Sequence, residues 1–332
     1  MTLLPEPETA AISSGLADGA FAAVVCVPTY KRPELLGRTL ASLVAQRTEG
    51  KSGPAFAIVV VDNDGEGREG SLLAARMLES GAFEGAVLIE PRQGNCKAYN
   101  AAWRFARSRM PEVRFICGID DDEEATPHWL SSLLAVAEAS GAGIVGGPVT
   151  PVFADPKHDY LRQHPIFHSH YVTDGPIPQL YSSANYLIRA SVLDEMGYPY
   201  LDEAFDYKGG GDSDFFTRAR GRGVKFHWAQ QALMTETMPA RRTEFSWIHA
   251  RALRNGMISA LIAHKADPSA GGRARTLLKT LALLGAAPFR GLADLARTGS
   301  PVIGLYNAQV ALGRLGAEFG LNIEQYRSPE KN

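Results

Sequence analysis

The sequence predicts an α/β protein built on a mostly parallel central sheet flanked by helices, with a helical C-terminal extension. Three observations carry this. Short runs rich in valine and isoleucine alternate with helix-period segments through residues 22–139. Apart from Arg114 in the fourth, each run is apolar throughout, as strands buried on both faces are. Polar clusters stand where the runs end, the place at which open α/β sheets bind ligands.

In order along the chain, residues 22–28 (AAVVCVP) read as a strand, followed by a Thr-Tyr-Lys-Arg-Pro loop and a helix over 34–46. Residues 56–61 (FAIVVV) repeat the form, end at Asp62-Asn63-Asp64-Gly65 and lead to a helix from about Ser71. A third strand over 86–89 precedes a helix over 98–110. A fourth, over 113–119, breaks at the acidic run 120–124, and Thr126-Pro127 reads as cap and first-turn proline of a helix over 128–139. Residues 148–180 lack any sustained period and read as loops. A strand returns over 179–189, a glycine turn at 209–211 precedes a helix over 212–220, and 224–235 is extended. From Glu244 onward the pattern is mainly helical.

With 332 residues, 45% hydrophobic and 21% charged, the chain can bury a substantial core, which excludes disordered and disulfide-scaffold classes. Cys26, Cys96 and Cys117 are odd in number and irregularly spaced, matching neither a disulfide framework nor a zinc site. The first twenty residues, charged only at Glu6, Glu8 and Asp18, do not read as a secretory leader. The net charge of −2 hides an asymmetry: residues 1–235 hold 21 basic and 29 acidic side chains, residues 236–332 hold 13 and 7. Arg241, Arg242, Arg251, Arg254, Arg273 and Arg275 are therefore candidates for contact with an anionic lipid surface. The longest uncharged run there, 298–313, contains Pro301, Asn307 and Gln309 and falls short of the ~20 apolar residues of a spanning helix. Two readings stay open: an amphipathic pair on a membrane surface, or helices packed on the protein.

Three acidic clusters bear on chemistry. The run 120–124 (DDDEE) follows a buried strand; an Asp-x-Asp there suits a hard divalent cation that also holds a diphosphate, while an acidic turn feeding the next helix explains it equally. Asp62 and Asp64 can accept bonds from a ribose or a base, or simply build a turn. Asp212 follows three glycines and reads as a catalytic base or a helix N-cap. No G-x-G-x-x-G follows the first strand, and neither a P-loop nor a G-x-S-x-G elbow occurs. His164, His168 and His170 lack the partners a zinc site needs, and no nucleic-acid motif accompanies the basic C-terminal residues.

Taken together, VVCVPTYKRPELLGRTLASL (24–43), VVVDND (59–64), PRQGNCKAYNAAW (91–103), FICGIDDDEEATPHWLSSLL (115–134) and GGGDSDFFTRARGRG (209–223) resemble the family 2 glycosyltransferases of the GT-A fold. The resemblance implies a GT-A nucleotide-sugar-binding domain over 21–240, with a donor half at 21–125 and an acceptor half at 126–240. Residues 1–20 are then a tail, and 241–332 a helical region that could meet a membrane surface. It implies Pro28, Thr29, Tyr30 and Arg32 around the donor's base and phosphates, Asp62 on the nucleoside and Asp120 near the ribose, with Asp64, Asn95, Lys97 and Asp121 also on the donor side. It implies Asp122 on a Mg2+ or Mn2+ ion, with Glu236 as a further ligand, Asp212 as general base, and Asn185 and Asp214 on the acceptor side. Two departures stand out: relatives carry Glu-Asp where this chain has Gly211-Asp212, and Ala-Arg-Asn where it has Ala98-Tyr99-Asn100.

The implied activity is inverting transfer from a nucleotide sugar, a UDP-sugar first, to a carbohydrate or lipid-linked acceptor in cell-surface polysaccharide or glycolipid synthesis. The implied location is the cytoplasm, peripheral on the inner face of the membrane, with no nucleic-acid partner. Two alternatives remain: a nucleotidyltransferase or other nucleotide-sugar enzyme on a similar sheet, and a non-catalytic sugar-binding protein that keeps the fold.

Overall fold

A computed structural model describes residues 6–17, 19–48, 51–52, 55–181 and 184–327. In chain order the elements begin with β1 (Glu8–Ile12), β2 (Ala23–Thr29), α1 (Pro33–Val44) and a small ladder of β3 (Arg47–Thr48) and β4 (Lys51–Ser52). There follow β5 (Phe56–Asp62), α2 (Glu69–Glu79), β6 (Gly85–Ile89), α3 (Asn95–Arg109), β7 (Phe115–Gly118), β8 (Glu123–Ala125) and α4 (Trp129–Ser140). Next come β9 (Ile144–Gly146), β10 (Val149–Phe153), β11 (Gly175–Ile177), β12 (Tyr186–Arg189), α5 (Ala190–Met196), α6 (Gly211–Gly221), β13 (Phe226–Trp228) and β14 (Met234–Met238). The chain closes with α7 (Phe245–Ala266), α8 (Ala270–Thr298), α9 (Pro301–Gly304) and α10 (Tyr306–Glu318).

These elements form two compact units. One holds residues 1–149, 171–206 and 211–236; the other holds 150–170, 207–210 and 237–332. The first contains a nine-stranded sheet in the order β1-β6-β5-β2-β7-β12-β9-β13-β11. Strands β6, β5, β2 and β7 are mutually parallel. They are fully buried, which is why they read as unbroken apolar runs. Ala23, Val25 and Val27 of β2 share a core with Leu36 and Leu40 of α1, Ala74 of α2 and Leu133 of α4.

Parallel register aligns the ends of these strands. Thr29 of β2 lies opposite Asp62 of β5, and Asp62 lies opposite Ile89 of β6. β7 stops at Gly118, two residues before Asp120. The polar groups singled out above therefore leave the sheet along one edge.

Several sequence expectations change. Residues 1–20 are not merely a tail: Glu8–Ile12 pairs antiparallel with β6 and covers that edge of the sheet. Five residues with one bulge carry too little pattern to announce a strand. The acidic run does not feed a helix; Glu123–Ala125 pairs with β14 instead, and α4 begins at Trp129, two residues past Pro127. Residues 148–180 hold β10, a 3-10 helix over Pro156–Gln163 and β11, all too short to show a period. Of the strand expected over 179–189, Tyr186–Arg189 forms β12, while Ser182 and Ser183 lie outside the described residues.

In the second unit α7 and α10 cross closely. A Cβ on Gly256 would strike Val310 O, and one on Gly313 would strike Leu253 O, so two glycines permit backbone contact. Phe153, Leu161, Phe167, Met238, Trp247 and Ile248 form its apolar cluster. Arg254 is buried; its guanidinium bonds Lys208 O and stacks on the Tyr326 ring. Arg251 donates to Tyr326 Oη at 2.7 Å. Two of the arginines expected on a lipid surface are thus committed inside the unit.

Candidate active site

The acidic loop after β7 is held by α1 and by the loop that follows β2. Thr29 Oγ1 donates to Asp121 Oδ2 at 2.8 Å, and Tyr30 N reaches the same oxygen at 3.4 Å. Thr39 Oγ1 contacts Asp121 O at 2.9 Å and Glu123 O at 2.6 Å. Arg32 reaches Asp122 at 3.1 Å and Asp121 at 3.5 Å. Pro33 opens α1 immediately after Arg32, so the Thr-Tyr-Lys-Arg-Pro segment and the acidic loop form one structure.

Tyr99 donates its hydroxyl to Asp120 Oδ1 at 2.8 Å. Asp120 N in turn donates to Glu123 Oε2 at 3.0 Å, and Glu236 faces Glu123 in the β8–β14 register. Burial pushes the Asp120 carboxyl up, the charge of Asp122 adds to this, and Asp212 contributes in the same direction. Asp121 is likewise raised by burial and then by Asp122. Asp212, 92 residues further along, therefore acts electrostatically on the same carboxylate as Asp122. It lies in the first turn of α6. A Cβ on the preceding Gly211 would come within 2.4 Å of Cys96 Sγ, so the packing here favours glycine.

Asp62 caps α2: its Oδ2 accepts from Ser71 N at 2.7 Å and its Oδ1 from Asp64 N at 3.0 Å. Beside it Lys31, Asp64, Glu66, Gly67 and Glu69 line an open surface depression of about 430 Å³. Pro28 ends the buried strand beside Thr29.

Other expected residues are engaged elsewhere. Asn185 is buried, its Oδ1 accepts from Trp129 Nε1 at 2.8 Å, and its Nδ2 donates to Pro148 O and Ala232 O at 2.8 and 2.7 Å. Asp214 is buried and pairs with Arg218 at 2.8 Å. Lys97 pairs with Asp206 at 2.8 Å. Asp206 also takes the amides of Cys96 and Lys97 at the start of α3, where Asn95 is exposed. Gly94, at φ 150°, makes room for this carboxylate, which a Cβ would strike at 2.3 Å. Tyr99, Thr39 and Asp206 were not singled out from sequence; only the change from the Ala-Arg-Asn pattern pointed toward Tyr99.

Among the described residues, no group of three or more His, Cys, Asp or Glu side chains is arranged to hold a metal. Magnesium-type ions need fewer protein ligands, taking one or two carboxylates and completing their shell with phosphate and water. Asp121 and Asp122 are buried together, and Asp122 disfavours ionisation of both neighbours. That excess negative charge on oxygen-only donors fits a hard divalent cation.

A nine-stranded mixed sheet with acidic residues gathered beyond its parallel strands defines an α/β protein of GT-A architecture. The family model for glycosyl transferase family 2 matches residues 24–197, and the chain belongs to that family. Its relatives include the succinoglycan biosynthesis protein ExoM of Rhizobium meliloti (strain 1021), 29% identical over 243 residues, which cover 72% of this chain and 75% of that protein. Similar folds include the mannosyltransferase PcManGT from Pyrobaculum calidifontis in complex with GDP-Man and Mn2+, with TM-score 0.57, 17% identity, and 89% and 87% of the two chains covered. S. aureus TarS 1–349 in complex with UDP-GlcNAc superposes with TM-score 0.52 at 15% identity, covering 90% and 91%.

Proposed function

We propose that this glycosyltransferase moves a sugar, with inversion, from a nucleotide-sugar donor to an acceptor hydroxyl in polysaccharide or glycolipid synthesis. The observation that carries it is the acidic loop held beyond the parallel strands by Thr29 and Arg32, with the charge of Asp212 adding to that of Asp122 on the Asp120 carboxyl. The depression beside Asp64 takes the nucleoside, with Asp62 fixing the loop that lines it. Arg32, Thr29 and Tyr30 hold the acidic loop against the donor phosphates. Asp122, with Glu236 as a further oxygen donor, would hold Mg2+ or Mn2+, which when bound offsets charge on the diphosphate. Asp212 takes the proton from the acceptor hydroxyl. The acceptor oxygen bonds to the anomeric carbon from the side opposite the diphosphate, and the carbon–oxygen bond to the diphosphate breaks, releasing a nucleoside diphosphate.

A UDP-sugar is the first donor to test. TarS with UDP-GlcNAc and PcManGT with GDP-Man support a nucleotide-sugar donor of either base, and the name of ExoM supports a polysaccharide product. The acceptor is a carbohydrate or lipid-linked sugar reached from the cytoplasm at the inner face of the membrane. A panel of nucleotide sugars with Mn2+ should raise the melting temperature for the matched donor. With that donor, Asp122→Ala and Asp212→Asn abolish transfer. Transfer at the wild-type rate in both variants overturns the assignments.

A further inference from the structure

Helix α8 carries its large apolar side chains on the side away from its packing. The residues it buries are small, namely Gly272, Thr276, Thr280 and Ala287, and they fall on one stripe at helical spacing. Thr280 Oγ1 anchors that stripe by accepting from Arg314 Nε at 3.1 Å. The opposite stripe runs through Leu278, Leu281, Phe289 and Leu292, which are 67%, 48%, 76% and 64% exposed. Gly285 lies in the same row, so the steps are three or four residues throughout. Leu277 and Leu295 widen the row on one side and are themselves exposed. Contiguous apolar surface of this kind on a folded chain marks an interaction site.

The charge beside that stripe indicates the partner. Arg275, Lys279, Arg290 and Arg297 follow one another at separations close to whole helical turns, so they form a single row flanking the apolar face, between it and the packed stripe; Arg275 also lies 3.6 Å from Asp267. The helix holds five basic residues and one acidic one. That acid, Asp294, is occupied by Arg297 at 3.1 Å and Asn307 at 3.0 Å. Lys279 and Arg290 face outward. A second copy of this chain would bring another row of the same sign, whereas an anionic bilayer brings the opposite sign. Among the described residues no helix is long and apolar enough to cross a membrane, so contact of this kind lies in the interface plane.

We propose that the outward face of α8 binds an anionic lipid bilayer, with Leu278, Leu281, Phe289 and Leu292 entering the boundary between headgroups and acyl chains and the basic row meeting lipid phosphates. Of the arginines composition pointed to, Arg275 belongs to this surface, whereas Arg251 and Arg254 are engaged with Tyr326. The proposal names the surface that would bring the enzyme to a lipid-linked acceptor, but it rests on α8 alone and not on the catalytic reading.

The test is co-sedimentation of the full chain with vesicles of phosphatidylcholine alone or mixed with phosphatidylglycerol, at low and high salt. Wild type should pellet with the anionic vesicles at low salt and remain in solution with neutral ones. Lys279→Ala with Arg290→Ala should weaken partitioning by roughly 25-fold, from about 1 kcal/mol per basic residue near an anionic surface. Phe289→Asp with Leu292→Asp should abolish it, and because both positions are mostly exposed the melting temperature should stay at the wild-type value. Absence of wild-type pelleting with anionic vesicles overturns the proposal, as does pelleting that both double variants retain. So does a dimer in sedimentation equilibrium that Phe289→Asp with Leu292→Asp dissociates while vesicles bind neither form. Asp212→Asn should pellet like wild type, so failure of the surface and failure of the catalytic assignment are separately visible.

Discussion

Tyr99 and Asp120, 21 residues apart, are joined by a 2.8 Å hydrogen bond from the phenol to the carboxylate. Burial keeps the phenol well above its ordinary pKa, with the negative charge of Asp120 adding to this, so it remains a donor. It steadies Asp120 without neutralising the acidic loop.

Tyr99→Phe should therefore lower kcat/KM for transfer by roughly tenfold to a hundredfold, the range expected for a hydrogen bond to a charged group. The aromatic contacts with Trp103 and Tyr186 survive the change, so the melting temperature should move little. A variant with unchanged kcat/KM would show that Asp120 needs no such support.

Gly211 and Cys96 form a packing pair. Gly211→Ala should destabilise by about 1–3 kcal/mol through overpacking, and Gly211→Ala combined with Cys96→Ala should recover most of that loss. Chemical denaturation of the two single variants and the double variant measures the coupling. Strict additivity would sever the link between this glycine and the buried thiol.

Asn185 braces three segments. Asn185→Ala leaves the Trp129 indole N–H and the Pro148 and Ala232 carbonyls without their partner. It also places alanine at φ 56°, where asparagine is better tolerated. The expected cost is about 3 kcal/mol or more, read as a lower denaturant midpoint.

His164 sets a pH dependence. Burial lowers its pKa to about 4 against an ordinary 6.5, with a backbone bond near Val302 opposing. The folded chain keeps the ring neutral, so this stabilising contribution is complete above pH 6.5. It is lost as pH falls toward 4, because the unfolded chain takes the proton first. The total is about 3 kcal/mol. His164→Phe, which keeps an aromatic ring against Tyr306, should show a shallower fall in stability across that window by urea titration at successive pH values.

The parallel strands were legible because burial on both faces demands apolar residues at every position; Asp62 and the acidic run from Asp120 stood out because they interrupt that pattern at strand ends, and Asp212 because it follows three glycines. The partners of Asn185 and Lys97 were hidden for a common reason. They lie far off in sequence, at Trp129, Pro148 and Ala232 for Asn185 and at Asp206 for Lys97. Only tertiary structure decides whether an amide or an ammonium faces a ligand or a neighbour. The outward stripe of α8 was hidden likewise, since apolar spacing on a helix reads as core until its exposure is known.

The interleaving of the two units constrains how such an enzyme could be recombined. Because the backbone passes from one unit to the other five times, a chimera joined at residue 240 would inherit Phe153, Leu161 and Phe167 but not the Trp247 and Ile248 they pack against. Transplanting the C-terminal helices from a relative would require carrying residues 150–170 and 207–210 along with them, so specificity borrowed from homologues is better sought by exchanging side chains than by splicing.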